Sequence, residues 1–280
     1  MAVLNDCEFV VVNYCTPKLV LNCVLSILRL ELAEAKNIIV VDNASPDNSL
    51  EALRALPSGV RLVQSDRNAG FGHGVNQGVA ASTHDFVIVL NPDTYFTDPS
   101  VALAVELMRK ERDIGLAGLD LIYPSGRRQY SSRRFYSIID ILGRRTPLGR
   151  YWPLKRRIHN HMMVDAWKQN TPFESEWAMG AGFIVRRDIF ESIGRMDEEY
   201  FLYMEDVDIC ARVWRAGYRV VCVPKARLVH DHQRASAASP FSSAGKAHLR
   251  SLMRFRKKFV LPVFRGPGIA GIMKKDRTTI

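Results

Sequence analysis

Short apolar runs alternate with amphipathic segments through the first 122 residues. Four runs, residues 8–13, 37–42, 60–64 and 85–90, have the length and composition of buried strands. Helical periodicity covers residues 17–30 and about 74–82, between successive strands. Because strands and helices alternate, we expect an α/β fold with a wound, mostly parallel sheet flanked by helices.

The regular alternation ends after residues 114–119. Residues 123–172 are rich in arginine, proline and aromatic residues and show little periodicity, so we interpret them as an insertion that faces a substrate. A strand-like segment at 176–185, an amphipathic helix ending at Gly217 and a strand at about 219–223 follow. We therefore expect one domain over residues 1–240, with the insertion at 123–172, and a basic amphipathic helical extension over residues 241–280.

Polar residues follow the predicted strands. Asn13 ends the first strand, Asp42 the second, and Asn91-Pro92-Asp93 follows the fourth. In wound sheets ligands bind beyond the carboxyl ends of the strands, so these side chains are candidate ligand contacts. Asp42 equally fits a helix cap, since Ser45-Pro46 resembles a helix start.

A glycine-dense segment, residues 68–78, precedes the second predicted helix. Backbone N–H groups there could approach a phosphate, although the signal is weak on its own. The glycines follow the third strand and not the first, and their spacing is not that of a dinucleotide or Walker motif. Kinases, dehydrogenases and sugar nucleotidyltransferases are therefore disfavoured.

Three carboxylates lie close together in the sequence Tyr203-Met204-Glu205-Asp206-Val207-Asp208, directly after an aromatic stretch. Ionised carboxylates beside apolar surface are costly, so such a cluster serves a cation, an incoming hydroxyl or a helix N-terminus. The following amphipathic pattern places all three acids in the first turn of a helix, where capping is the alternative explanation.

Basic residues are concentrated in two segments. Residues 123–168 hold eleven Lys or Arg against two acids, and residues 246–280 hold ten against one, so the remainder is acidic although the chain carries a net charge of +10. This distribution favours a polyanionic partner. Cations and bulky apolar residues interleave over residues 254–273, which favours a membrane surface over nucleic acid, with a solvated basic tail as the alternative.

Cysteine content and hydropathy indicate the compartment. Five cysteines form no CxxC pair, which fits a reducing cytoplasm better than a disulfide framework or structural zinc. The N-terminus lacks a basic region with an apolar core, and no segment approaches about 18 uninterrupted apolar residues. We expect a cytoplasmic protein that is peripheral at the inner face of the cell membrane.

The order of these motifs resembles one family. Residues 41–45, 68–72, 90–93, 180–183, 201–208 and 229–230 together resemble the inverting family-two glycosyltransferases of GT-A fold, in the dTDP-rhamnosyltransferase branch that builds O-antigens and related glycans. The resemblance spans about residues 8–236. It implies transfer of L-rhamnose from dTDP-L-rhamnose to a lipid-linked saccharide, with Mg²⁺ or Mn²⁺ as cofactor.

The resemblance also implies residue roles. Asp206 would be the general base, although from sequence alone Glu205 could exchange roles with it. Asp42 would hold the nucleobase and Asp93 the metal. His230 would be a metal ligand or a phosphate contact, and neighbouring His232 competes with it for that role. Asn91 stands where many relatives have the first Asp of an Asp-x-Asp motif, which leaves one acidic ligand. The full set of candidate donor contacts is Asn13, Asp42, Asn68, Gly70, Asn91 and Asp93.

The acceptor side rests on Tyr130-Ser131-Ser132-Arg133-Arg134-Phe135, which resembles a Ser-x-Arg-Arg/Lys-Phe element of the same branch. Either arginine could bind an acceptor diphosphate, or the loop could pair with acids of the protein itself. The candidate acceptor contacts are Arg133, Arg134, Trp177, Gly180 and Glu205. Two other functions stay open: the same fold with a UDP- or GDP-sugar, and a non-catalytic binder of anionic lipid or nucleic acid.

Overall fold

The computed structural model describes residues 4–231 and 243–274. His232 and parts of the expected C-terminal extension therefore lie outside the described residues. The described chain contains eleven strands, in chain order β1 (Cys7–Asn13), β2 (Ile38–Asp42), β3 (Arg61–Gln64), β4 (Phe86–Leu90), β5 (Thr94–Tyr95), β6 (Ile114–Ile122), β7 (Ser132–Arg133), β8 (Phe173–Glu174), β9 (Trp177–Ala178), β10 (Gly182–Arg186) and β11 (Arg219–His230).

Nine of these strands form one twisted sheet in the order β3-β2-β1-β4-β10-β6-β11-β5, with β8 paired to β11. β3, β2, β1 and β4 are mutually parallel, and β11 is parallel to β6. β10 runs antiparallel between β4 and β6. Six strands therefore share one direction, which confirms the mostly parallel wound sheet expected from the sequence. β7 and β9 pair separately.

Eleven α-helices lie in the described residues. They are α1 (Pro17–Arg29), α2 (Ser49–Leu53), α3 (Phe71–Ala80), α4 (Ala102–Lys110), α5 (Ile138–Arg145), α6 (Leu154–His161), α7 (Val164–Lys168), α8 (Arg187–Ser192), α9 (Glu205–Arg215), α10 (Ser243–Lys258) and α11 (Gly268–Met273). Buried residues of α1 and α4 pack on one face of the sheet, and those of α3, α9 and α10 on the other. The central strands are buried on both faces, which explains their continuous apolar runs.

The glycines of the dense segment have a packing role. A Cβ at Gly74 would lie 2.5 Å from a methyl of Val12, and one at Gly78 would lie 2.3 Å from a methyl of Val10. α3 therefore lies directly on β1, as only glycine allows. α3 begins at Phe71, three residues before the start expected from the sequence, because Gly70 (φ +98°) turns the chain into the helix.

The insertion is more regular than its sequence indicates. It contains β7, α5, α6, α7 and a short 3₁₀ helix at Pro147–Arg150. A reciprocal capping box between Ser137 and Asp140 fixes the start of α5. These helices have at most eight residues, too few for a periodic pattern to stand out in the sequence.

The described part of the C-terminal extension packs against the rest of the described chain. Phe255, Phe259 and Ile272 are buried in the core that α9 shares. Arg254 and Lys258 form ion pairs with Asp197. The interleaved cations and apolar residues of this segment favour a membrane surface in the sequence. In the structure, the three apolar side chains and the two cations named above instead make contacts within the protein. No helix among residues 4–231 and 243–274 has the length and apolar character needed to cross a membrane.

Candidate active site

A hydrogen-bonded network joins the ends of β1 and β2. Asn13 donates through Nδ2 to Asp42 Oδ1 at 2.8 Å and to Ser45 Oγ at 3.1 Å. Ser45 donates from its hydroxyl to Asp42 Oδ1 at 2.7 Å and from its backbone N–H to Asp42 Oδ2 at 3.2 Å. Asn13 and Asp42 are buried. The network fixes the Asp42 carboxylate, and the helix expected after Ser45-Pro46 begins only at Ser49, so Asp42 does not cap it.

A second network follows at β3 and α3. Asn43 Nδ2 donates to Asn68 Oδ1 at 3.1 Å and to the Gly70 carbonyl at 3.0 Å, while Gly70 N–H donates to Asn68 Oδ1 at 3.0 Å. A Cβ at Gly70 would lie 2.3 Å from the carbonyl oxygen of Phe201. The second network therefore ties the sheet edge to the aromatic segment that precedes α9.

Asp93 and His230 are brought together as the sequence predicted. Asp93 Oδ1 lies 3.5 Å from His230 Nε2 and accepts no hydrogen bond from the described residues. Gln129 Nε2 donates to the His230 carbonyl at 2.7 Å, so Gln129 Oε1, 2.8 Å from His230 Nδ1, faces that nitrogen as an acceptor. Nδ1 therefore carries a proton and Nε2 is directed toward Asp93, the arrangement of a metal-binding histidine with its outer partner.

The protein alone supplies few ligands for a cation. Among the residues that the structure describes, no three His, Cys, Asp or Glu side chains form a metal cluster. The Asp93 and His230 pair provides two, so a divalent ion held there would take its remaining ligands from phosphate and water. The donor set fits a cation that binds together with a diphosphate.

The turn before β10 connects the sheet edge to α9. Asn91 N–H donates to the Ala181 carbonyl at 3.0 Å, and the adjacent Gly180 N–H donates to Asp206 Oδ2 at 3.1 Å. A Cβ at Gly180 would lie 3.5 Å from that of Asp206. Residues 180–181 therefore lie between the Asp93 side of the site and the Asp206 side.

Glu205 and Asp206 differ in their protonation. Burial, and then the charge of Asp206, raises the pKa of Glu205 to about 8, and no described residue donates a hydrogen bond to Glu205 Oε2. Burial also raises the pKa of Asp206, but N–H groups of Gly180 and Val207 and the charge of Arg133 favour its ionised form. At neutral pH Glu205 is therefore the protonated acid of the pair, and Asp206 is the acid that its surroundings favour as a carboxylate.

Asp208 is part of a structural network. It is fully buried and accepts hydrogen bonds from Tyr200 Oη at 3.2 Å and Arg212 Nε at 2.7 Å. Lys258 of α10 also forms an ion pair with it. Asp208 therefore joins α9 to α10 and points away from the ligand side.

The acidic helix begins after two consecutive left-handed residues, Tyr203 (φ +67°) and Met204 (φ +70°). Such residues cost free energy and concentrate at functional sites. The turn they form delivers Glu205 and Asp206 together to one cavity.

That cavity, which we term the acceptor cavity, has a volume of about 320 Å³, and its walls include Arg133, Tyr136, Arg144, Trp177, Glu205 and Asp206. Trp177 is buried, donates to the Arg134 carbonyl at 2.8 Å and lies 5.2 Å from the Arg133 guanidinium. Tyr136 packs on Trp177 with ring centroids 5.4 Å apart. Aromatic walls beside a carboxylate suit a sugar with its hydroxyl at Asp206.

The two predicted arginines face different cavities. Arg133 lines the acceptor cavity, whereas Arg134 lines a larger cavity of about 610 Å³ and pairs with Glu176 at 3.4 Å. Arg133 is the last residue of β7 and Arg134 directly follows it, and the two side chains line different cavities. The structure therefore brings Arg133, Trp177, Gly180 and Glu205 together around Asp206 and separates Arg134 from them.

Sequence reasoning missed four residues at these sites: Asn43, Gln129, Tyr136 and Arg144. Asn43 directly follows Asp42, which could have indicated it. The others depend on how the insertion folds back onto the sheet, and no spacing in the sequence encodes that contact.

Comparisons with known proteins identify relatives of this chain. The sequence profile described as "Glycosyl transferase family 2" matches residues 8–194. The N-acetylglucosaminyl-diphospho-decaprenol L-rhamnosyltransferase of Mycobacterium tuberculosis is 30% identical over 239 residues, which cover 80% of this chain and 76% of that protein. The rhamnosyltransferase WbbL of Escherichia coli (strain K12) is 27% identical, covering 66% of this chain and 69% of that protein.

A solved structure has the same fold. The mannosyltransferase of Pyrobaculum calidifontis, determined in complex with GDP-Man and Mn²⁺, superimposes with a TM-score of 0.64 at 15% identity, covering 96% of this chain and 69% of that chain. The likeness confirms the GT-A fold expected from the sequence.

Proposed function

Because the chain belongs to glycosyl transferase family 2, we propose that it transfers L-rhamnose from dTDP-L-rhamnose to a hydroxyl of a lipid-linked saccharide in bacterial surface glycan synthesis. The observation that carries this proposal is the Asp206 carboxylate, held by two backbone N–H groups in a cavity that adjoins the polar sheet edge. Both rhamnosyltransferase relatives support the sugar, and the name of the Mycobacterium tuberculosis enzyme also supports a lipid-linked acceptor.

The donor is proposed to bind along the carboxyl edge of the sheet. The fixed Asp42 carboxylate accepts an N–H of the nucleobase, with Asn13 holding it in place. Asn68 and Gly70 shape the next part of the edge, and Asn91 and Asp93 meet the diphosphate. Asn13 and Asp42 end their strands, Asn91 and Asp93 follow β4, and Asn68 and Gly70 lie in the loop between β3 and α3, so all six are on the side of the sheet where ligands of wound sheets bind.

We further propose that Asp93 and His230 hold Mg²⁺ or Mn²⁺ together with the donor diphosphate. Asp93 Oδ1, which accepts no hydrogen bond from residues 4–231 and 243–274, lies beside His230 Nε2 and supports this assignment. A bound divalent ion stabilises the negative charge of a departing nucleoside diphosphate. The structure of the mannosyltransferase relative, which contains Mn²⁺, supports divalent metal use in this fold.

The transfer is proposed to invert the anomeric carbon. Asp206 removes the proton of the acceptor hydroxyl while the hydroxyl oxygen attacks the anomeric carbon on the face opposite the departing dTDP. The O–C bond forms as the C–O bond to phosphate breaks, and the proton remains on Asp206. Glu205, neutral at pH 7, adds no second negative charge to the cavity.

We also propose peripheral attachment to the inner membrane surface, through a set of residues that overlaps only in part with the segment that the sequence indicated. The exposed apolar residues of the insertion and of the segment after α10 form the face that we term the aromatic-basic face: Leu142, Tyr151, Trp152, Val263 and Phe264. Backbone N–H groups of Ile138 and Ile139 bond the carbonyls of Pro262 and Val263, which holds the two segments together. Exposed basic residues including Arg150, Lys155, Arg156 and Arg265 surround them. This composition suits anionic headgroups.

A sugar-nucleotide screen tests the proposed function. Released nucleoside diphosphate is measured with dTDP-rhamnose, UDP-sugars and GDP-sugars, each with Mg²⁺, with Mn²⁺ and with chelator, in the presence and absence of a lipid-linked saccharide. We expect the highest acceptor-dependent release from dTDP-rhamnose with a divalent ion. Preferential use of a UDP- or GDP-sugar contradicts the donor, and full activity in chelator contradicts the metal.

A further inference from the structure

The acceptor cavity contains two arginines without a carboxylate partner. Arg133 donates through Nε to the Tyr130 carbonyl at 3.1 Å and through Nη2 to Met179 Sδ at 3.3 Å. Arg144 donates through Nη1 to Tyr136 Oη at 3.4 Å. Within the part of the chain that the structure describes, neither guanidinium has an acidic group within 4.0 Å, in contrast to Arg134, which pairs with Glu176.

The position of Arg133 is costly without an anion. Its side chain is only 8% exposed, and burial and the charge of Arg144 lower its pKa to about 10. A buried charge ordinarily requires a partner, because protein dipoles replace lost hydration only in part. The face of Trp177, 5.2 Å from the guanidinium, supplies a weak cation–π contact but no negative charge.

Positive charge accumulates around His161, which lies behind the cavity wall. His161 Nε2 lies 3.4 Å from Arg144 Nη1, and its ring packs on Tyr136 with centroids 4.8 Å apart. Burial and the charges of Arg144, Arg133 and Arg134 lower the pKa of His161 to about 3, so the imidazole stays neutral. The convergence of guanidinium groups on one buried ring indicates a field that favours an anion.

The acids of the cavity neutralise this charge only in part, because Asp206, whose charge acts on Arg133, is one carboxylate against two guanidinium groups. Glu205 is protonated at neutral pH and Asp208 is committed to Arg212 and Lys258. Asp206 is the remaining carboxylate, and its oxygens accept from the backbone N–H groups of Gly180 and Val207. The excess positive charge therefore remains for a ligand.

We propose that Arg133 and Arg144 form a phosphate subsite that binds the diphosphate of the acceptor. The inference rests on the proposed function and names the part of the acceptor that this cavity recognises. The acceptor hydroxyl lies at Asp206, the sugar ring lies against Trp177 and Tyr136, and the diphosphate on the anomeric carbon lies at the two guanidiniums. Guanidinium groups bind phosphate oxygens through two parallel hydrogen bonds. Such binding attracts the diphosphate and also fixes the orientation of the sugar attached to it.

The subsite lies on the opposite side of Gly180 from the donor edge. Neither Asp42 nor Asp93 lines the acceptor cavity, whereas Asp206 does. The geometry thus favours the acceptor diphosphate over that of the donor. A phosphate headgroup of the membrane is a second source of the same chemistry, which the experiment distinguishes.

The test compares two soluble acceptors that carry the same sugar and the same short alkyl chain, one through a diphosphate and one through a simple glycosidic bond. Steady-state kcat and KM are measured for each, and for the donor, in the parent protein and in Arg144→Gln, Arg133→Gln and Arg127→Gln. Arg127 is an exposed arginine that precedes β7 and lies over Tyr123, so it serves as the matched control.

We expect Arg144→Gln to raise KM for the diphosphate acceptor by roughly tenfold or more, as loss of a charged hydrogen bond does. The KM for the glycoside acceptor and for the donor should change less than about twofold, and Arg127→Gln should match the parent within experimental error. Arg133→Gln should show the same selectivity provided that circular dichroism shows a folded protein. Arg144 is exposed, so its variant tests the proposal even if Arg133→Gln does not fold.

Three results overturn the proposal: equal losses with both acceptors, a raised KM for the donor, or no change in any parameter. Adding anionic vesicles distinguishes a lipid headgroup from the acceptor diphosphate as the ligand of the subsite. If vesicles compete with the diphosphate acceptor in the parent protein but not in Arg144→Gln, the subsite belongs to the membrane headgroup instead. Direct binding of the diphosphate acceptor, measured by calorimetry, keeps the test independent of the donor sugar. If no nucleotide sugar is turned over while Arg144-dependent binding persists, the proposed transfer fails and the subsite stands.

Discussion

Three neighbouring carboxylates occupy three different environments. Asp208 is paired with two cations, Asp206 accepts two backbone N–H groups, and Glu205 is buried with no hydrogen-bond donor to Oε2 in the described part of the chain. Their spacing along α9 directs them to different sides, so adjacent acids in the sequence perform different tasks. Helix capping, the alternative weighed from the sequence, describes none of them fully, since no side chain caps α9.

Glu205 should make the protein less stable as pH rises. Its pKa of about 8 in the folded protein exceeds the value of 4.5 for an unperturbed Glu. Between pH 4.5 and about pH 8 the folded state therefore binds more protons than the unfolded state. The free energy of unfolding should then fall by up to about 1.4 kcal/mol per pH unit from this group. Urea denaturation of the parent and of Glu205→Gln from pH 5 to 8 measures the effect.

The Gln variant removes the titrating group and keeps its size. Its free energy of unfolding should decline less with pH than that of the parent, and the two curves should separate toward pH 8. Parallel curves over the whole range would mean that Glu205 is already ionised near pH 5.

At the scale of elements, α10 supports the loop that presents the acidic pair. Ser251 donates to the Leu202 carbonyl at 2.9 Å, and the ring of His248 lies 4.9 Å from that of Tyr203. Arg254 and Lys258 each lie 5.5 Å from the Tyr200 ring. α10 thus contacts Tyr200, Leu202 and Tyr203, and its loss should disturb the segment that precedes Glu205 and Asp206.

Two phenylalanines that follow α10, Phe259 and Phe264, test whether this part of the chain packs onto the core. Phe259 is buried against α9 and Phe255, whereas Phe264 is 71% exposed. Phe259→Ala should lower the free energy of unfolding by about 3–5 kcal/mol, and Phe264→Ala should change it by less than about 0.5 kcal/mol. Chemical denaturation measures both, and equal values would contradict the packing of α10 onto the core.

The sequence predicted the sheet well because its strands are buried on both faces and therefore appear as continuous apolar runs. It placed Asp42 at the end of a strand, Asp93 just after another and Asp206 in the first turn of a helix, where the structure has them, since strand ends and helix starts follow from local pattern. It did not predict which way Arg133 and Arg134 point, or that Phe255 belongs to the core. Those features depend on contacts between distant segments, which periodicity does not contain.

At the scale of the whole molecule, the basic segments have two uses. Part of the charge of the C-terminal segment is neutralised internally by Asp197, Glu199 and Asp208. The insertion retains exposed basic residues next to Trp152, which is 74% exposed. The insertion therefore contributes more to the surface available to a membrane than the sequence alone indicated.

This distribution predicts binding to anionic membranes through the aromatic-basic face. Sedimentation with vesicles that contain anionic lipid should recover the protein at low salt, with loss at high salt or with neutral vesicles. Trp152→Ala combined with Phe264→Ala should reduce the bound fraction severalfold. Leu25→Ala, an exposed apolar residue of α1 outside the face, is the matched control and should bind like the parent. Equal binding by all variants would contradict this face.

The proposed function depends most on Asp206 acting as the general base of the sugar transfer. The most direct test is the transfer rate of Asp206→Asn and of Glu205→Gln at saturating donor and acceptor, with nucleotide binding followed by thermal shift. We predict that Asp206→Asn lowers kcat by roughly 10²- to 10⁴-fold and still binds dTDP, while Glu205→Gln, which resembles the protonated acid already present, stays within about tenfold of the parent. Transfer by Asp206→Asn at the parent rate, or loss of transfer in Glu205→Gln alone, would contradict the account.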